Sequence, residues 1–121
     1  MTDVFRETLM GFAERVEGLH GVSLVGRDGI AIDSVVPAED NALEVVSAEM
    51  TGILSHLSAA DLGIDPANLR QFEVKSDRAT VVLSAVTSEY YLLILLAPGA
   101  HSGRARFEAR KAGAILEKEL V

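Results

Sequence analysis

The residue types that most often carry chemistry are few in this sequence, and their spacing does not gather them into a site. The three histidines, His20, His56 and His101, fall on separate predicted elements and lack the short spacing that metal ligands share. Cysteine is absent, which excludes a thiol nucleophile, a thiolate metal site and a disulfide framework. No serine lies in a G-x-S-x-G nucleophile elbow. We therefore interpret the histidines as ordinary surface or loop residues and expect no metal or cofactor.

One glycine-rich stretch, APGAHSGRAR from Ala97 to Arg106, joins a predicted strand to a predicted helix. Such a loop can cradle phosphate, because the first backbone N–H groups of the helix point at the ligand. The stretch lacks the G-K-[S/T] ending of a P-loop, so the lysine that would reach the phosphates is missing. We interpret it as a structural turn. The paired carboxylates Glu117 and Glu119 lie on a terminal helix with no sign of a pocket, and we predict that the protein is not an enzyme.

Charge and composition narrow the classes of partner. The net charge of −7 argues against nucleic acid and against acidic membranes, because both require clustered lysine and arginine. The longest apolar run, Tyr90 to Ala97, is far shorter than the roughly 20 residues of a membrane helix. The amino-terminal stretch lacks the basic region and apolar run of a signal peptide. With 121 residues, 49% of them hydrophobic, we expect one cytoplasmic domain spanning residues 1–121.

Periodicity predicts three helices and five strands. Phe5, Leu9, Phe12, Val16 and Leu19 follow helical spacing within a first helix over residues 3–19. Asp28 and Gly29 indicate a hairpin turn between the strands GVSLV and IAIDSV, since both residue types tolerate positive φ. The other predicted elements follow in order: a helix over 44–60, an alternating edge strand LRQFEVK, the strands ATVVLSAV and YYLLILLA, and a helix over 103–120.

The strand YYLLILLA fixes the layering, because it is apolar at nearly every position. A strand that is apolar on both faces must be covered on both faces, so helices should pack on each side of the sheet. The final helix suits this role, since its apolar stripe of Ala105, Ala109, Ala112 and Leu116 allows close packing. The sequence thus predicts a three-layer α/β (α+β) domain in the order α-β-β-α-β-β-β-α.

The second helix carries more apolar surface than one core contact needs. One broad sector holds the larger side chains: Ala42, Leu43, Val46, Met50, Ile53, Leu54, Leu57 and Ala60. Nearly opposite lies what we call the small-residue face: Val45, Ala48, Gly52, Ser55 and Ala59. Such small side chains let two helix backbones approach closely, and a two-fold contact that uses this face twice would bury it. The alternative is that Ala48 and Gly52 relieve crowding against another segment of the same chain.

Three stretches, in this order and spacing, carry a resemblance to a known family. They are GVSLVGRDGIAIDSV, LEVVSAEMTGILSHLSAADLGI and the region from Leu69 to Leu120, which together cover almost the entire chain. The chain resembles the Roadblock family, which includes the dynein light chains of that name. It is most similar to bacterial members, small proteins that regulate Ras-like GTPases. The resemblance implies a five-stranded antiparallel sheet between helices.

The resemblance also implies how the chain associates with itself. Roadblock proteins pair through their second helices and join their third strands across the two-fold axis. A homodimer, or a pair with a related Roadblock protein, would use a defined set of interface residues: Val45, Ala48, Gly52, Ser55, Ala59, Phe72 and Val74. The family shares no catalytic residue, so we assign no arginine finger. The sequence ends at Val121, directly after the third helix, and no activity that needs a C-terminal extension is expected.

The implied function is a non-catalytic homodimer that binds a small Ras-like GTPase, with stimulation of GTP hydrolysis left open. Polar residues beside the small-residue face are candidate partner contacts: Glu44, Ser47, Glu49 and His56. A solvated helix face explains these residues almost equally well. The alternative function is a structural adaptor in a motor or polarity complex with no effect on nucleotide turnover. A small-molecule sensor is least favoured, because aromatic residues make up only 5% of the chain.

Overall fold

The computed structural model describes residues 3–36, 42–65 and 68–120. Its helices and strands confirm the predicted order: α1 (Val4–Arg15), β1 (Leu19–Gly26), β2 (Ala31–Val35), α2 (Ala42–Ala59), β3 (Gln71–Lys75), β4 (Thr80–Ala85), β5 (Tyr90–Leu96) and α3 (Ser102–Leu120). The strands form one antiparallel sheet in the spatial order β2-β1-β5-β4-β3. None of the helices in these ranges is long and apolar enough to cross a membrane.

The centre of the sheet is β5, the strand that is apolar at almost every position. Its residues alternate between two hydrophobic clusters, as the two-residue period of a strand requires. Leu92, Ile94 and Leu96 lie in the cluster beneath α1 and α3, whereas Leu93 and Leu95 lie in the cluster on the α2 side. Helices therefore cover both faces of β5, as its sequence predicts.

On the first face, α1 and α3 pack side by side over the sheet. The predicted stripe of α3, Ala105, Ala109, Ala112 and Leu116, is fully buried. Beside it lies Glu108, whose side chain is only 1% exposed. A buried carboxylate is costly unless it is paired and hydrogen-bonded.

Three cations from two helices surround the Glu108 carboxylate. Arg15 at the end of α1 donates a hydrogen bond from Nε to Glu108 Oε1 at 2.8 Å. Arg104 and Lys111 of α3 lie 3.6 Å and 3.8 Å from the same carboxylate. This ion pair joins α1 to α3. Sequence reasoning missed it, because a glutamate on a charged helix reads as a solvated residue.

The first helix is shorter than periodicity predicts. Helix α1 begins after Asp3, whose side chain accepts a hydrogen bond from the Arg6 N–H, and it ends at Arg15 rather than near Leu19. Leu19 is instead the first residue of β1. Its apolar side chain continues the helical spacing by coincidence, since Leu19 packs against the same cluster from the sheet.

The hairpin between β1 and β2 positions α2. Gly26 N–H donates to the Ile30 carbonyl at 2.9 Å, and Gly29 adopts the left-handed conformation, with φ of 86°. Ser47 Oγ of α2 donates a hydrogen bond to the Gly29 carbonyl at 2.9 Å. A Cβ atom on Gly29 would lie 2.8 Å from Thr51 Oγ1. The turn thus needs glycine both for its backbone and for the approach of α2.

We predict that Gly29→Ala lowers the free energy of unfolding by about 1–3 kcal/mol, because alanine strains a left-handed backbone and would also collide with Thr51. Gly63→Ala is the matched control, since Gly63 has φ of 77° but open space where the alanine methyl group would lie. Urea unfolding followed by circular dichroism measures both variants. Equal losses in the two variants would show that the contact with α2 adds nothing.

Candidate interaction surface

Helix α2 buries one face against the sheet. Leu43, Met50 and Leu54 are buried in the α2-side cluster, together with Leu83 of β4 and Leu93 of β5. Among the strands, α2 contacts β1 most extensively. One helix therefore covers a face of the sheet whose opposite side is covered by two.

The small-residue face of α2 points away from this cluster. Val45, Ala48, Gly52, Ser55 and Ala59 are all exposed, and the side chain of Val45 is 54% exposed. Val45 is the one large apolar side chain among them, and a contiguous exposed patch of apolar and small residues is a candidate contact surface. These residues were predicted as interface residues, and the structure places them together on one open face.

Ile53 adds to this open face, although helical spacing assigns it to the buried sector. Its side chain is 39% exposed, whereas Met50 and Leu54 beside it are buried. The position lies at the border between the two sectors of α2. Periodicity alone does not determine which residues at this border face the sheet.

Gly52 distinguishes the two explanations for the small side chains. A Cβ atom built on Gly52 would have no heavy atom within 4 Å outside its own stretch of helix. No other described segment of the chain therefore crowds this position. A glycine inside a helix costs about 1 kcal/mol relative to alanine, so the fold of the monomer gains nothing from it. This observation favours a close approach by another molecule.

The polar candidates beside this face separate into different environments. Glu49 and His56 are exposed, and His56 Nδ1 lies 2.9 Å from the Gly52 carbonyl of its own helix. Ser47 is buried and donates to Gly29, so we leave it out of the proposed partner surface. Glu44 lies within the bounds of α2, but its side chain falls outside the described residues.

The predicted strand residues lie on the same side of the sheet as α2. Phe72 is half-buried and packs against the α2-side cluster. Val74, two residues further along the strand, therefore shares this face and is 44% exposed. Strand β3 is an edge strand, as its alternation predicts, since among the described strands it pairs only with β4.

The two edges of the sheet differ in whether their backbone groups are occupied. At the β2 edge, Arg6 Nη1 donates to the Ser34 carbonyl at 3.0 Å, and Ser34 N–H donates to Asp33 Oδ1 at 2.9 Å. A salt bridge of 2.6 Å between Arg6 and Asp33 holds this arrangement. Side chains thus block this edge to an incoming strand.

The β3 edge is open. Arg70 carbonyl and Ser76 N–H bond toward β4, each at 2.9 Å, to Ala85 N–H and Ala79 carbonyl. Because residues of an antiparallel strand alternate in direction, the backbone groups of Gln71, Glu73 and Lys75 point away from β4. Within the described ranges no other group bonds to them. A row of unpaired N–H and C=O groups is a template for pairing with a further strand.

The chemistry-bearing residues remain apart. No three histidine or carboxylate side chains in the described ranges could hold a metal ion. The loop before α3 lines a hollow of about 690 Å³ that includes Arg15 and Arg104 but also Glu14 and Glu17, so opposite charges meet there.

Burial raises the pKa of Tyr91, with Arg27 acting in the opposite direction and Asp65 reinforcing it, so this phenol stays protonated at neutral pH.

The family of the chain follows from its sequence and fold together. A model of the Roadblock/LC7 domain matches residues 6–96, and the chain belongs to this family. No curated protein matches it significantly.

Solved structures share the fold. A Roadblock/LC7 domain from Streptomyces avermitilis has a TM-score of 0.78 at 19% identity, with 94% of this chain and 95% of that chain covered. MglB from Myxococcus xanthus has a TM-score of 0.80 at 15% identity, with 96% and 94% covered. MglC from Myxococcus xanthus has a TM-score of 0.71 at 24% identity, with 97% and 99% covered.

We predict that substitutions of Gly52 separate monomer stability from self-association. Gly52→Ala should raise the free energy of unfolding of the monomer by up to about 1 kcal/mol, through helix propensity, while weakening association. Gly52→Arg should abolish association and leave the monomer folded. Ala114→Arg, on the exposed face of α3, is the control. Sedimentation and circular dichroism measure both effects, and a Gly52→Arg protein that stays associated would contradict the surface as described.

Proposed function

We propose that this protein forms a homodimer, or pairs with a related Roadblock protein, through the small-residue face of α2 and the edge of β3. One observation carries the proposal. The open face of small and apolar side chains on α2 lies on the same side of the sheet as the exposed Val74 of β3, the strand whose edge is unpaired. Either feature alone invites a partner. A two-fold contact satisfies both at once, since the same patch is used twice.

The proposed dimer binds a small Ras-like GTPase and supplies no catalytic residue to it. Support comes from membership of the Roadblock family and from the resemblance to bacterial Roadblock proteins that regulate such GTPases. Glu49 and His56 flank the small-residue face on each copy and are exposed, so a partner that spans both copies of α2 would meet them. Binding and dimerisation would then be linked, because only the dimer presents the whole surface.

A regulator of this kind is expected to prefer one nucleotide state. The switch segments of Ras-like GTPases are ordered around the γ-phosphate and released on hydrolysis, which gives a partner a physical basis for discrimination. A structural adaptor has no such requirement. The nucleotide dependence of binding therefore separates the regulator from the adaptor.

We predict that the wild-type dimer binds a small Ras-like GTPase from the same organism more tightly in one nucleotide state than in the other. The measurement is calorimetry with the GTPase loaded with GDP or with a non-hydrolysable GTP analogue. Gly52→Arg should weaken binding together with dimerisation. Equal binding in both states would contradict the regulator and leave the structural adaptor. No binding to any Ras-like GTPase would contradict both the proposed GTPase binding and the preference for one nucleotide state.

We further predict that Glu49→Lys changes the association rate constant with this GTPase by roughly tenfold at low salt, with little effect on folding, because rim charges act mainly on encounter. Glu119→Lys on α3, behind the sheet, is the matched control for net charge. Stopped-flow fluorescence at two salt concentrations measures the effect. Identical rate constants for the two variants would remove Glu49 from the binding surface.

A further inference from the structure

The open edge of β3 can pair with a second copy in only a few registers, and the residues on it distinguish between them. In a two-fold antiparallel pair, one residue of the strand lies opposite its own copy at the axis. Only Gln71, Glu73 and Lys75 offer outward backbone groups, so bonded pairs must join members of this set. Axes through Gln71 or Lys75 would join only one pair within this set. The axes that join more pass through Phe72, Glu73 or Val74.

A register centred on Glu73 uses all the outward backbone groups of β3. Gln71 then lies opposite Lys75 of the second copy, Glu73 opposite Glu73, and Lys75 opposite Gln71, so every outward residue is hydrogen-bonded. On the α2 side, Phe72 lies opposite Val74 of the second copy on both sides of the axis. Aromatic and β-branched side chains are favourable cross-strand neighbours. They would also cover the exposed side chain of Val74.

The other registers lose some of these hydrogen bonds or side-chain contacts. An axis through Val74 leaves Phe72 opposite Ser76 and Gln71 opposite a residue beyond the end of the strand. An axis through Phe72 leaves Val74 opposite the charged Arg70. The register centred on Glu73 has one cost, because it brings two carboxylates directly opposite each other, and like charges in that position are destabilising.

Arg106 forms an ion pair with this carboxylate within each monomer. Its Nη1 donates to Glu73 Oε1 at 2.8 Å, and both side chains are partly exposed on the α1/α3 side of the sheet. The ion pair joins the third helix to the middle of the open strand. An isolated pair of this exposure contributes little to stability, with a typical value of about 0–1 kcal/mol. Because it lies at the centre of the open edge, the ion pair affects the repulsion between the two Glu73 carboxylates in a register centred on Glu73.

We propose that the two copies pair along β3 in the register centred on Glu73, and that Arg106 permits this register by neutralising the carboxylate at the axis. The proposal rests on the β3 interface of the proposed function and adds its register and a residue outside the interface that determines it. Arg106 acts here through Glu73, as a positioning residue. A second copy of this chain fits the edge because, in this register, it matches every outward backbone group of β3 and sets Phe72 opposite Val74 on both sides of the axis.

The register is tested by cysteine crosslinking. The chain contains no cysteine, so each introduced cysteine is the only thiol in its variant. Hydrogen-bonded residues opposite each other have Cα atoms about 5.5 Å apart, within disulfide range, whereas diagonal neighbours are about 7–8 Å apart. Single variants Phe72→Cys, Glu73→Cys and Val74→Cys are oxidised under the same conditions. We expect the covalent dimer to form fastest with Glu73→Cys. Fastest crosslinking through Phe72→Cys or Val74→Cys would overturn the register.

The role of Arg106 is tested by a double-mutant cycle on the dimer dissociation constant, measured by sedimentation equilibrium. We expect Arg106→Gln to weaken the dimer roughly fivefold, the effect of about 1 kcal/mol of like-charge repulsion. Arg106→Gln combined with Glu73→Gln should restore most of the affinity. The deficit of the single variant should shrink at 1 M salt, where the Debye length is about 3 Å. Arg110→Gln, one turn further along α3, is the matched control.

The outcomes separate this inference from the interface on which it rests. Val74→Lys should disrupt any dimer that uses β3. If Val74→Lys is monomeric but Arg106→Gln associates like the wild type, the interface stands and the role of Arg106 is wrong. If the double variant is as weak as Arg106→Gln, the residue acts through structure rather than charge, and the role is also wrong. A monomeric wild type, or a dimer indifferent to Val74→Lys, overturns the interface and the inference together.

Discussion

The fold depends on one constraint: β5 is apolar on both faces and must be covered on both. Helices α1 and α3 cover the first face as a pair, and the buried Glu108 with its ring of cations joins them. Among the described elements, α2 alone covers the second face, and it lies mainly against β1. Unequal cover follows directly. The face that α2 covers is left partly open at β3, where Val74 is exposed.

This unequal cover explains why the two edges of the sheet differ. The β2 edge lies beside α1, and Arg6 of that helix reaches the Ser34 carbonyl and the Asp33 carboxylate. The β3 edge keeps its outward backbone groups and has an internally neutralised charge at its centre, the Glu73–Arg106 pair. Side chains thus occupy the β2 edge, whereas the β3 edge is open to a further strand. The small-residue face of α2 and the exposed Val74 of β3 lie on the same side of the sheet, and a single two-fold contact can bury both.

Much of the fold could be predicted from the sequence, because its strongest signals are local. The uninterrupted apolar run of β5, the alanine stripe of α3 and the Asp28–Gly29 turn each depend on a few neighbouring residues, and each is found as predicted. The open face of α2 was predictable for the same reason. Contacts between distant segments were not. Ser47 reads as a surface serine until the hairpin turn is seen beneath it, and Glu108 reads as solvated until Arg15 is placed against it from a helix 93 residues away. The exposure of Ile53 likewise is not determined by periodicity alone.

Amide hydrogen exchange, resolved residue by residue by NMR at several protein concentrations, tests the central claim most directly. The outward N–H groups of Gln71, Glu73 and Lys75 have no partner within the described chain, so a dimer is needed to protect them. We predict that their protection rises with concentration in step with the dimer fraction measured by sedimentation. Protection of α1 amides that exchange by local opening should not change with dimer fraction, whereas amides that exchange only on global unfolding gain protection in any dimer. If these three amides exchange freely in solutions where the protein is fully associated, the copies do not meet along β3, and the interface lies elsewhere.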